Sequence, residues 1–128
     1  MNCLLDTHAF LWWDGERSRL SSRVLVISAT PNTTLFLSYA SIWELQIKLQ
    51  LGKLTARRPL SQIIQEQTTL NGLRLLPILP DHIYALQSLP NLHRDPFDRM
   101  LIAQAMHENM TLISSDSQIA QYPIPILW

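Results

Sequence analysis

The chain has 128 residues, 47% hydrophobic and 16% charged, and its ten basic and ten acidic side chains cancel to a formal net charge of +0. This composition fits one domain with a real core and excludes a disordered chain, while the absence of net charge excludes a global field that would attract nucleic acid. The single cysteine, Cys3, excludes an intramolecular disulfide and suits a reducing compartment.

In chain order, residues 2–6 read as a short buried strand. Thr7 to Trp13 form a helical turn carrying Phe10, Leu11 and Trp13, and Asp14-Gly15 breaks it. Ser21-Ser22 caps a helix that runs through Ala29 and stops at Pro31-Asn32. Thr34 to Ser38 is a second strand, followed by a helix from Ser41 to Leu51 with Ile42, Leu45 and Leu49 on one face and Gly52 as its stop. Residues 60–70 form an amphipathic helix ended by Asn71-Gly72. Leu73 to Leu79 is a strand that Pro77 keeps short or peripheral. Asp81 opens a helix to Ser88, and Asp95 opens the longest one, stopped by Asn109. Thr111 to Ser114 is a strand, and Pro123 to Trp128 is a terminal edge strand.

Strands alternating with helices imply a parallel sheet with right-handed crossovers, an open α/β sandwich spanning residues 1–128 as one domain. The amino terminus shows no basic n-region, and no uncharged run approaches a membrane span, so the expected location is the cytoplasm and no membrane contact is expected.

The chemistry lies in the acids. Asp6 ends the first strand, Glu44 sits in Ser41-Ile42-Trp43-Glu44, Asp95 and Asp98 in Arg94-Asp95-Pro96-Phe97-Asp98-Arg99, and Asp116 in Ser114-Ser115-Asp116. Ligands of open α/β sheets collect beyond the carboxyl ends of the strands, and these acids fall on that rim. A convergent carboxylate cluster is an oxygen-ligand site for Mg²⁺ or Mn²⁺. Like charges ~4 Å apart repel by about 4 kcal/mol at an effective dielectric of 20, so such a rim needs protons or a hard cation.

Each acid also has a purely structural role open to it. Ser41 to Glu44 fits a capping box, Asp95-Pro96 a helix start, Asp98 the third helical position, and Asp116 a turn. Asp6 fits such a role least, because it follows a buried central strand. His8, His82, His93 and His107 lack zinc spacing. His93 and Arg94 flank the acidic helix start and could face the site, but each reads more readily as a solvated loop residue. The basic runs Arg17, Arg19, Arg23 and Lys53, Arg57, Arg58 are local patches for RNA or a solvated face. Trp12, Trp13, Trp43 and Trp128 read as core or interface.

Four segments in order resemble the PIN-domain family, and specifically VapC toxins of type II toxin–antitoxin pairs. They are Leu4-Leu5-Asp6-Thr7-His8, Ser41-Ile42-Trp43-Glu44-Leu45 with Gly52-Lys53-Leu54, Arg94 to Ala103, and Leu112-Ile113-Ser114-Ser115-Asp116. The resemblance implies an α/β/α sandwich with a central parallel sheet, and a Mg²⁺- or Mn²⁺-dependent ribonuclease. It also implies Asp6, Glu44, Asp98 and Asp116 as the acidic metal site, with Asp98 rather than Asp95 as the third acid. It further implies a small VapB-like antitoxin and a homodimer. A groove for the antitoxin would involve Trp43, Ile47, Leu49, Ile63 and Ile64, unless these are core. The alternatives are a housekeeping PIN nuclease, a receiver-like phosphoacceptor domain, or a non-catalytic module whose acids only cap helices. The receiver reading is poor because Lys48 and Lys53 are both mid-chain.

Overall fold

A computed structural model describes all of residues 1–128. Its frame is one sheet of five parallel strands in the order β3-β2-β1-β4-β5. In sequence these are β1 (Asn2–Leu5), β2 (Thr34–Ser38), β3 (Arg74–Leu76), β4 (Thr111–Ile113) and β5 (Ile126–Leu127). The helices are α1 (Thr7–Gly15), α2 (Ser22–Ala29), α3 (Tyr39–Gln50), α4 (Leu60–Asn71), α5 (Pro80–Ala85) and α6 (Pro96–Glu108).

The strand residues explain the layers. Parallel strands covered on both faces read as continuous apolar runs, and side chains alternate between the two faces. Cys3 and Leu5 of β1 thus join Leu35, Leu37 and Ile113 in one buried cluster, with Phe10 and Trp13 of α1, Val24 of α2, and Ile63 and Ile64 of α4. Leu4 and Leu112 face the other way, into a cluster with Leu101, Ile102 and Ala105 of α6. The result is the expected α/β/α sandwich.

The chain builds outward from β1 through β2 to β3, then returns to lay β4 on the other side of β1. The switch in direction lies between β1 and β4, and a crevice opens there beyond the strand ends. The Asp6 N–H donates to the Ile113 carbonyl (3.0 Å), which carries the β1–β4 pairing up to the rim.

The expected elements are present with shifted ends. β3 is a three-residue edge strand, as Pro77 demands, and β5 reduces to Ile126–Leu127. The helix expected to break at Asp14-Gly15 continues through both. The helix expected from Ser41 begins at Tyr39, because Ser38 is its N-cap and its hydroxyl accepts from the Ala40 N–H. The helix from Asp81 to Ser88 is α5 plus a 3₁₀ turn over Leu86–Ser88. Gly72 and Asn109 both stop helices in the left-handed conformation, at φ +67° and +55°.

Candidate metal centre

The four acids reach the rim from four different elements. Asp6 follows β1, is only 6% exposed, and is also the N-cap of α1: its Oδ1 accepts from the Ala9 N–H at 2.7 Å. The acid least suited to a structural role therefore has one. Burial pushes its pKa up, and Asp116 adds repulsion; the Ser114 hydroxyl, the Ala9 N–H and His8 oppose the shift.

Glu44 shows the converse. Ser38, not Ser41, caps α3, so the expected capping box does not form. Glu44 instead lies in the second turn of α3, buried at 7% exposure. Thr7 Oγ1 donates to its Oε1 at 2.7 Å, and Lys48 Nζ lies 3.0 Å from its Oε2. Nothing about helix initiation requires a carboxylate there.

Asp95 caps α6 as expected, its Oδ1 accepting from the Phe97 and Asp98 N–H groups. That task leaves Asp98, at the third helical position, free to face the crevice. Its pKa is raised to about 6, first by burial and then by repulsion from Asp95 and Glu44, with His93 pulling the other way. Asp116 makes the expected turn, accepting from the Gln118 N–H at 2.8 Å.

Of the two readings of His93, the structure favours the one in which it faces the site over that of a solvated loop residue. Its ring is inside the site, with Nε2 2.9 Å from Asp98 Oδ2 and 3.6 Å from Asp116 Oδ2. The Asp95 N–H lies 3.4 Å from Nδ1, which leaves Nε2 facing the two carboxylates. Two contacts distant in sequence hold the loop that presents it: the His93 N–H donates to the Tyr122 hydroxyl (2.9 Å), and Arg99 donates to the same oxygen (3.0 Å).

His93, Asp98 and Asp116 offer donor atoms within 4.8 Å of one another. Asp6 and Glu44 stand outside that group but are coupled to it, since Asp116 raises the pKa of Asp6 and Glu44 that of Asp98. The donors are hard carboxylate oxygens plus one imidazole, and Asp98 is held at a protonation cost that a cation would relieve. This set fits Mg²⁺ or Mn²⁺.

The basic runs do not converge on the site as a patch. Arg19 pairs with Glu16, and Arg58 with Asp14 and Glu66. Arg17 lies over Trp13, while Arg23 lines a cavity that includes Asp116. Trp13 is core, whereas Trp43 is 61% exposed and meets Phe97 edge-on at 5.2 Å.

The model of the PIN domain matches residues 3–125. The chain belongs to the PIN domain family. The fold agrees. VapBC2 from Rickettsia felis, solved bound to a DNA fragment from its promoter, aligns with a TM-score of 0.72 at 15% identity, covering 99% of this chain and 98% of that one. A toxin–antitoxin complex from Klebsiella pneumoniae gives 0.65 at 16%, and FitAcB from Neisseria gonorrhoeae 0.64 at 17%, each covering 98% of this PIN domain and 96% of the other chain. No curated protein matches the sequence. At such identities these structures are similar in fold, and the site stands on its own geometry.

Proposed function

We propose that this PIN domain is a divalent-metal-dependent ribonuclease and the toxin of a VapBC-type pair. The observation that carries this reading is the meeting of Asp98, Asp116 and His93 at the β1–β4 switch point, with Asp6 and Glu44 on the same rim. Asp6 and Asp98 are assigned as direct ligands, Asp116 as completing the site, and Glu44 as orienting a water or holding a second ion. Thr7 and Lys48 hold the Glu44 carboxylate in one orientation, and His93 aligns Asp98 with Asp116. A Mg²⁺ or Mn²⁺ held there supplies positive charge to a phosphodiester oxygen and acidifies water. Two apolar grooves support an antitoxin partner: one between α3 and α4 lined by Ile42, Leu60, Ile64 and Leu75, and one beside it with Tyr39 and Trp43. Ile63 is core rather than groove, and Ile64 is mostly buried at its floor. No helix is long and apolar enough to cross a membrane.

The test is incubation of the purified protein with total cellular RNA, with Mg²⁺ and with chelator. Cleavage in Mg²⁺ alone is expected, and Asp98→Asn should reduce it by at least about a hundredfold, the scale of losing one electrostatic element of a site. Asp6→Asn should do the same while keeping its cap, since Asn caps as well as Asp. Full activity in both variants ends the assignment.

A further inference from the structure

Arg94 and Arg99 line one cavity of about 550 Å³ together with Leu86, Asn91, His93 and Pro96. Neither guanidinium has a carboxylate within ion-pair distance; the arginines so paired are Arg19 and Arg58. Arg99 donates to three neutral oxygens, the Pro90 and Leu86 carbonyls and the Tyr122 hydroxyl, so its position is fixed and its charge is not cancelled. Arg94 is exposed and free to turn toward a ligand. His93 is the wall this cavity shares with the metal centre, because its ring bridges Asp98 and Asp116. A chain that is neutral overall thus concentrates two unpaired cations directly beside its carboxylates.

We propose that this cavity is a second phosphate subsite, which takes the phosphodiester group of RNA next to the one at the metal centre. The inference rests on the ribonuclease reading and adds where the substrate runs. Guanidinium groups suit phosphate because their planar N–H fork meets two oxygens at once. Asn91 adds a neutral donor of the kind that binds phosphate and sugar. A strand that leaves the centre past His93 enters this cavity, whereas an acidic peptide would be repelled by the adjoining carboxylates.

The test is fluorescence anisotropy of a labelled ten-nucleotide single-stranded RNA, with Ca²⁺ replacing Mg²⁺ to keep the RNA uncut, across a salt series. Arg94→Gln should weaken binding by about five- to tenfold and reduce the log–log salt slope by about 0.7, the value for one phosphate on a single strand. Arg94→Lys should keep most of the slope. Arg74→Gln, an exposed arginine at the amino end of β3, should bind as the wild type. Unchanged affinity and slope in Arg94→Gln, with Mg²⁺-dependent cleavage intact in the wild type, overturns the subsite alone. If Arg94→Gln instead loses only binding of a polyglutamate peptide, the cavity belongs to an acidic protein partner. A wild type with neither RNA affinity nor cleavage overturns the ribonuclease reading as well.

Discussion

Asp98 carries much of the electrostatic strain at the rim. Its folded pKa of about 6 stands above the ordinary 3.8, because burial and the neighbouring Asp95 and Glu44 penalise its charge. A carboxyl raised on folding binds a proton that the unfolded chain has released, so between those two values stability falls as pH rises. Without metal, the group therefore destabilises the protein at pH 7, and the penalty fades as pH drops through 6 toward 4. Discounted for partial exposure, the effect is about 1–2 kcal/mol, or several degrees of melting temperature in a domain of this size. In chelator, Asp98→Asn should melt above the wild type at pH 7.5, and the gap should close by pH 4.5. A bound cation reverses the order at pH 7.5, because metal and proton compete for the same oxygens. Melting curves across this range, with Mg²⁺ and with chelator, check both signs; a pH-independent gap in chelator contradicts the assignment of strain to Asp98.

At the scale of elements, the sequence was most legible where local chemistry decides. Asp95-Pro96 announces the start of α6, and Asn109 and Gly72 announce stops, since each effect involves neighbours within a turn. Asp95 and Asp98 accordingly divide the labour of one helix end. Asp95→Asn should retain the cap and most of the activity, while Asp95→Ala should cost about 1 kcal/mol of stability, read from denaturant midpoints; equal loss of cleavage in Asp95→Asn and Asp98→Asn would place Asp95 in the site. Two capping assignments came out reversed, and the reason is physical. Ser38 and Ser41 are both good caps; Ser38 takes the Ala40 N–H, while Ser41 is buried in the first turn with its hydroxyl 3.1 Å from Thr7 Oγ1. Asp6 can end a buried strand and cap a helix at once because β1 passes into α1 with no intervening loop. His93 was the residue most underweighted, since its closeness to the acidic helix start was legible but its fixed place was not. That place depends on Tyr122, 29 residues away, and on Arg99, and no local signal in His93-Arg94-Asp95 reports a contact of that range.

The whole molecule poses a different problem, that of an active centre left open. Four acids lie at the carboxyl end of a five-stranded parallel sheet, Asp6 and Glu44 buried and Asp98 and Asp116 more open, and a ribonuclease of the proposed kind needs an inhibitor wherever it meets the RNA of its own cell. The apolar lining between α3 and α4, with Trp43 exposed beside it, suits the hydrophobic face of an amphipathic segment. From there a basic side chain need only reach the rim to compete with the cation, and an arginine among carboxylates would do so with two parallel hydrogen bonds. Purification from the native host should therefore yield this chain with a small co-encoded protein, and measurement of the complex mass should fit two copies of each. Arginine-to-alanine replacement in the partner's tail should restore Mg²⁺-dependent cleavage without dissociating the complex, since groove contacts and rim contacts are separate. Recovery of a lone monomer that is harmless when expressed would remove the toxin reading and leave a housekeeping nuclease, because the proposed chemistry at the carboxylates needs no partner, whereas the toxin reading does.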